Sequence, residues 1–321
     1  MTLGIQRRTR CSLAAALLTY CCVATVLSAS TQDTVEYERF VGEQPHMGTL
    51  VRITLYAPLG IDGVRALQAS FERVRKLSRR LSDYREDSEV NRVSRQAERA
   101  PVYVSRDLFA VLAAASEISR LSGGAFDVTS GALTRLQRRG TVPSATAGAH
   151  ARAMTGWRHL VLDATGQTVF FLRPGIQLDL GGIAKGYIAD QALAELRRQG
   201  VDRALVAIAG DIVAGDPPPG ELVWKVGIEA TRIELELQLA NEAVSTSGDR
   251  ERSYELDGVV YSHIVDPRSE RIAGTRQAVS VIAPSGVEAD GWATALHVLG
   301  RGNARQILTR NLKIRATWSD E

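Results

Sequence analysis

Eight residues, Asp179-Leu180-Gly181-Gly182-Ile183-Ala184-Lys185-Gly186, constrain this chain more than any other stretch. Apolar residues precede them (Ile176, Leu178) and a helical spacing follows (Ile188, Ala192, Leu193, Leu196), so they read as the turn from a strand into a helix that ends at Gly200. Glycine at 181, 182 and 186 lets the backbone approach a neighbour or a ligand. A helix that starts there presents unpaired N–H groups and the positive end of its dipole, which suits a phosphate or pyrophosphate. The spacing is not Gly-x-Gly-x-x-Gly, and no Ser or Thr follows Lys185 as in a P-loop. From these residues alone, an ordinary βα bend remains the alternative.

Residues 1–30 carry Arg7, Arg8 and Arg10, no acidic residue, and an apolar run from Leu13 to Leu27 that ends in small residues. This reads as a cleavable secretory signal peptide, cut near Ala29 or Ser30, and predicts a periplasmic protein. Arg7-Arg8 also fits the start of a twin-arginine signal, although Arg10 stands where an apolar residue is usual. Leu18-Thr19-Tyr20-Cys21 has the outline of a lipobox, with Tyr20 where a small residue is wanted, so attachment to the inner membrane is the alternative to a free protein. Residues 31–40 read as a polar leader and 41–321 as one domain. All three cysteines lie in the signal, which removes thiolate zinc sites and cysteine nucleophiles from the exported chain. The 39 Lys and Arg, less the three arginines of the signal, equal the 36 Asp and Glu. A neutral chain without a basic surplus gives no sign of nucleic-acid binding.

Along the chain, Leu50 to Ala57 alternates as a strand and stops at Pro58. Asp62 caps a helix with Val64, Leu67, Phe71, Val74, Leu77 and Leu81 on one face and Arg and Lys on the other. A polar segment, 85–99, leads to a short strand at 102–104. Ser105 caps a second helix that Gly123-Gly124 stops. Residues 138–156 read as a loop, 160–162 and 169–172 as a hairpin, and 205–208, 223–228, 233–239 and 279–283 as further strands. Ser285 and Glu288 form a capping box for a last helix closed by Gly300. Helices interspersed among hairpin-like strands predict an α+β fold with mixed or antiparallel sheets.

On that last helix Asp290 and Thr294 stand one turn apart on one face. A carboxylate and a hydroxyl at this spacing suit magnesium or calcium; equally, Asp290 serves the helix dipole and Thr294 bonds a carbonyl. Tyr261-Ser262-His263-Ile264-Val265-Asp266-Pro267 is an extended run into an Asp-Pro turn, where His263 and Asp266 can converge on a cleft. Ser245-Thr246-Ser247-Gly248-Asp249 reads as a hydroxyl-rich loop of the kind that contacts phosphates.

Taken together, Met47-Gly48-Thr49, Gly124-Ala125-Phe126-Asp127, the octapeptide 179–186, Ser245 to Asp249, Ser262 to Pro267 and Ala289-Asp290-Gly291-Trp292-Ala293-Thr294 closely resemble the ApbE family, from about Val41 to Gly300. These are FAD:protein FMN transferases, long filed as thiamine biosynthesis lipoproteins. The resemblance implies an ApbE-like fold and an FAD site lined by Met47, Tyr84, the backbone of Ala125, Phe126 and Asp127, Asp179, Lys185 and Ile264. It implies Mg2+ held by the Gly182 carbonyl, Asp290 and Thr294, with His263 beside the pyrophosphate. One departure is Glu270, where the family usually has Gly.

By the same resemblance, FMN passes from FAD to a threonine or serine hydroxyl of an acceptor flavoprotein and AMP leaves, with His263 or a nearby carboxylate such as Asp266 taking the proton. The implied acceptors are flavin-bearing subunits of a membrane redox complex or a nitrous-oxide-reductase maturation system. Hydrolysis of FAD to FMN and AMP at the same site, and flavin binding without turnover, are the competing readings.

Overall fold

The computed structural model describes residues 35–138, 144–228, 235–248, 253–256, 259–262, 264–269, 278–310 and 313–319. Residues 1–30, expected to be a signal peptide, and His263, Asp249 and Glu270 lie outside the described residues. In chain order the elements are β1 (Tyr37–His46), β2 (Thr49–Pro58), α1 (Gly63–Arg80), α2 (Glu89–Gln96), β3 (Val102–Tyr103), α3 (Arg106–Leu121), α4 (Gly131–Gln137) and α5 (Ala145–Ala153). There follow β4 (Leu160–Asp163), β5 (Thr168–Phe171), α6 (Ala184–Arg198), β6 (Arg203–Ile208), β7 (Asp211–Ala214), β8 (Trp224–Ile228), β9 (Leu235–Leu239) and β10 (Ala243–Ser247). The rest are β11 (Ser253–Leu256), β12 (Val259–Ser262), β13 (Val279–Ala283), α7 (Gly286–Arg310) and β14 (Arg315–Trp318).

A seven-stranded sheet in the order β1-β2-β6-β7-β10-β13-β14 is antiparallel at every pairing. Its pleat sorts the side chains onto two faces. Leu55, Val206 and Val281 enter the main core with Leu67 and Phe71 of α1, Ile188 and Leu193 of α6, and Leu296 of α7. Their neighbours Tyr56, Leu205 and Ile282 turn the other way, onto Trp224, Val226 and Leu239 of the β8-β9 hairpin. The α+β class expected from the sequence is the one observed. Among the described residues no helix is long and apolar enough to cross a membrane.

Several local expectations are corrected. The polar stretch before Met47 is β1, paired with β2 over ten residues although only Phe40 and Gly42 are buried. The polar 85–99 segment holds α2, capped by Ser88, whose hydroxyl accepts from Asn91 N at 3.1 Å. Inside the expected 138–156 loop lies α5, capped by Ser144; it buries only Ala151, so no apolar stripe announces it. Residues 176–180, expected as a strand, run extended outside every sheet, held by one bridge from Gln177 to Ser130 and by Asp179 N donating to Val128 O at 2.8 Å. Ser245, Thr246 and Ser247 belong to strand β10 rather than to a loop. At Gly300 (φ 68°) α7 breaks as expected, but helical turns resume and continue to Arg310.

Candidate functional site at the crossing of the glycine bend and the last helix

Two glycines set the geometry. A Cβ on Gly186 would lie 1.9 Å from the carbonyl oxygen of Gly286, and one on Gly286 would lie 2.4 Å from that of Gly186, so α6 and α7 touch backbone to backbone. Asp190 of α6 locks the crossing: its carboxylate accepts from Gly286 N at 2.7 Å and Val287 N at 2.9 Å, satisfying the first donors of α7. Burial pushes this carboxyl up to about 6. One turn further, Asp290 accepts from Gly186 N at 3.0 Å, meeting a donor that the start of α6 leaves unpaired. A turn beyond, Thr294 Oγ1 reaches the Gly182 carbonyl at 3.4 Å. A side chain at 182 has no room, since its Cβ would stand 2.7 Å from Thr294 Oγ1 and 3.3 Å from Phe126 Cε2.

Lys185 spans two buried carboxylates, at 2.6 Å from Asp211 Oδ2 and 3.5 Å from Asp290 Oδ1. Ser245 donates to the other oxygen of Asp211. Burial first, then the neighbouring Asp211 charge, push the Asp290 carboxyl up to about 7 against the pull of Lys185. One ammonium thus faces two desolvated carboxylates. Asp211 was not singled out from the sequence; its signal is an acidic residue opening a strand directly after Gly210, where Ala209 already adopts φ 52°.

This donor set suits a hard cation. Among the described residues no three His, Cys, Asp or Glu cluster as a metal site, so a cation here would have to draw on the Gly182 carbonyl, the Thr294 hydroxyl, the Asp290 carboxylate and oxygens of its ligand. Such mixed oxygen coordination, shared with substrate phosphates, is typical of Mg2+.

Beside the bend, Asp179 accepts from Gly181 N at 2.8 Å, Thr134 Oγ1 at 2.6 Å and Arg138 Nη2 at 2.8 Å. Arg138 also pairs with Asp83 and lies over the Tyr84 ring, 4.3 Å from its centroid. Tyr84 is 66% exposed, so its ring is available to a ligand. Phe126 reaches the glycine bend, and Ala125 and Asp127 are buried behind it. The Asp127 carboxylate is occupied by Thr129 N and Oγ1 and by Trp157 N, which leaves the backbone of this loop as its means of contacting a ligand.

The 264–269 segment comes near the same loop, because a Cβ on Gly124 would meet Trp157 and the Arg268 side chain. Ile264 is buried there. Asp266 accepts from Arg268 N at 3.0 Å and forms a two-point ion pair with its guanidinium, an arrangement that shapes the turn. Met47 occupies the β1–β2 turn with φ 53° and packs on the main core; among the described residues no hydrogen bond ties it to the other candidates. A separate groove of about 560 Å³ between α1 and residues 85–92, lined by charged side chains such as Arg75, Arg79 and Glu89, contains none of the candidates.

Comparison with known proteins adds an independent line. The model of the ApbE family matches residues 47–318. An FAD:protein FMN transferase of Treponema pallidum (strain Nichols) is 36% identical over 278 residues, covering 79% of this chain and 77% of the relative. One from Escherichia coli (strain K12) is 30% identical over 315 residues, 93% and 88% of the two chains. Among solved structures, the apo form of the Pseudomonas stutzeri flavinyl transferase ApbE superposes with a TM-score of 0.79 at 33% identity, covering 88% of this chain and 92% of that one. The flavin transferase ApbE of Vibrio cholerae gives 0.78 at 31% identity, with 87% and 93% covered.

Proposed function

The chain belongs to the ApbE family, and from that premise we infer that it is an FAD:protein FMN transferase, which moves FMN from FAD onto an acceptor flavoprotein. The observation that carries the reading is the meeting of the Gly182 carbonyl, Thr294 and Asp290 around the start of α6, with Lys185 beside them. In a chain that matches its relatives over most of their length, this meeting point beside the glycine bend supports a pyrophosphate site.

The acceptor is a threonine or serine hydroxyl. Its oxygen attacks the FMN-side phosphorus; a P–O bond forms, the bond to the bridging oxygen breaks, and AMP departs. Little covalent chemistry is asked of the protein, so positioning and charge neutralisation dominate. Lys185 exchanges part of its pairing with Asp211 and Asp290 for phosphate oxygens. Magnesium, held by the Gly182 carbonyl, Asp290 and Thr294, would offset phosphate charge when bound. His263 accepts the hydroxyl proton as general base. Asp266, committed to Arg268, holds its own turn and acts there as a positioning residue. The leader composition supports action on the exported side of the membrane, where flavin-bearing subunits of membrane redox complexes, or a nitrous-oxide-reductase maturation partner, would serve as acceptors.

Incubation with FAD, magnesium and an acceptor domain tests the reading. A fluorescent acceptor band on a denaturing gel is expected. Free FMN without a labelled band would indicate hydrolysis, and unchanged FAD would indicate a binding protein; either result overturns transfer.

A further inference from the structure

We propose that Arg138 is a positioning residue for the flavin, a single guanidinium that fastens the Tyr84 loop to the glycine bend and thereby sets FAD affinity. The inference rests on the flavin-transfer reading and deepens it. Three observations carry it. The first is connectivity: Arg138, just past the end of α4, pairs with Asp83 of the α1–α2 loop and, through Nη2 at 2.8 Å, with Asp179 ahead of the bend. The second is stacking, with the guanidinium 4.3 Å from the Tyr84 centroid, so the plane of an exposed ring depends on it.

The third is charge. The Asp83 and Asp179 side chains are only 7% and 8% exposed, and Arg138, at 31%, pairs with both. Burial, and then the Asp179 charge, push the Asp83 carboxyl up. Without Arg138 the two carboxylates would repel each other across the joint between loop and bend. The remaining partners do not substitute for it. Asp179 keeps Thr134 Oγ1 and Gly181 N, which are neutral, and the loop keeps Asn91, whose amide donates to the carbonyls of Asp83 and Arg85 at 2.8 Å each. Arg135 is spent on Asn91 Oδ1 at 2.9 Å. Asn91 and Arg135 thus hold the loop backbone, and Arg138 aims its side chains.

Acting through Tyr84 and Asp179 without touching the phosphorus, Arg138 should govern binding and spare the chemical step. FAD affinity is read by quenching of flavin fluorescence, alongside KM for FAD and kcat for transfer in the full chain with magnesium. Arg138→Ala is expected to weaken FAD binding and raise KM about tenfold, with kcat within about twofold of the parent. Arg138→Lys keeps the charge but loses the fork and the stacking, and should fall between the two. Adding Asp83→Asn to Arg138→Ala removes the stranded charge and should recover part of the lost affinity with kcat unchanged, whereas a merely structural defect would lower the amount of active protein and with it the apparent kcat. Arg138→Gln, closer in shape, serves where the alanine variant fails to fold. Unchanged FAD affinity in a folded Arg138→Ala or Arg138→Gln variant, or a further loss on adding Asp83→Asn, overturns the inference while leaving the transferase reading intact. A parent protein that binds no FAD overturns both.

Discussion

Asp290→Asn separates the electrostatics of the site from its use. Burial and the Asp211 charge push the Asp290 carboxyl from 3.8 to about 7, while Lys185 pulls the other way. A carboxyl raised in the folded state favours the protonated form, so its contribution to stability is whole below about pH 4 and is lost as pH rises towards about 7. Each unit is worth about 1.4 kcal/mol, so the whole interval corresponds to about 4 kcal/mol and the part between pH 5 and pH 8 to about 1–3 kcal/mol. Asparagine does not titrate. Urea denaturation of both proteins in EDTA, at pH 5 and pH 8, cancels the titrating groups that do not face Asp290, and the shift that remains belongs to Asp290 together with its neighbours Asp211 and Lys185. The difference in stability should shift by about 1–3 kcal/mol in favour of Asp290→Asn on going to pH 8, while FMN transfer in magnesium falls at least about a hundredfold. A difference independent of pH would refute the assignment of a buried, repelled carboxylate, and retained transfer would refute its use.

Gly182→Ala should cost about 1–3 kcal/mol by chemical denaturation and remove most transfer, because the new methyl would sit 2.7 Å from Thr294 Oγ1. Gly186→Ala, whose Cβ meets the Gly286 carbonyl at 1.9 Å, has no side chain to push aside and must part α6 from α7, so a fall in Tm of more than about 5 °C is expected. Lys185→Ala strands Asp211 and Asp290 together; it should weaken FAD binding and destabilise by about 1–3 kcal/mol, the partly exposed ammonium tempering the loss, and Asp211→Asn should restore part of that stability. Chelation with EDTA should abolish transfer and added Mg2+ restore it, read on the same fluorescent gel.

What the sequence made legible follows from where one face of an element is buried. In β2, Val51, Ile53, Leu55 and Ala57 are buried, and the alternation showed it. In α1, α3 and α6 the three-and-four spacing of Leu67, Phe71 and Val74, of Leu108, Val111 and Leu112, and of Ile188, Ala192 and Leu196 follows the core. Illegible elements lack such a face: β1 exists because β2 pairs with it, and α5 because Ser144 caps a run of alanines. Residues 176–180 misled because Ile176, Leu178 and Leu180 are buried without sheet partners of their own, and burial looks the same in either case. At the site, Asp290 and Thr294 were legible by their spacing as oxygen donors, and Gly182 only through the family resemblance. Asp211 was not, since its pairing with Lys185 spans the β6–β7 turn and α6, and a linear pattern holds no record of that contact. Arg138 carries no signal in the linear sequence, since its partners Asp83 and Asp179 lie 55 and 41 residues away along the chain.

A crystal grown with FAD and Mn2+ in place of magnesium tests the central claim most directly. The account predicts an anomalous peak within about 2.5 Å of the Gly182 carbonyl, an Asp290 oxygen, Thr294 Oγ1 and an oxygen of the FAD pyrophosphate. FAD bound with its pyrophosphate away from these three groups, or a metal seated on other residues, would contradict it.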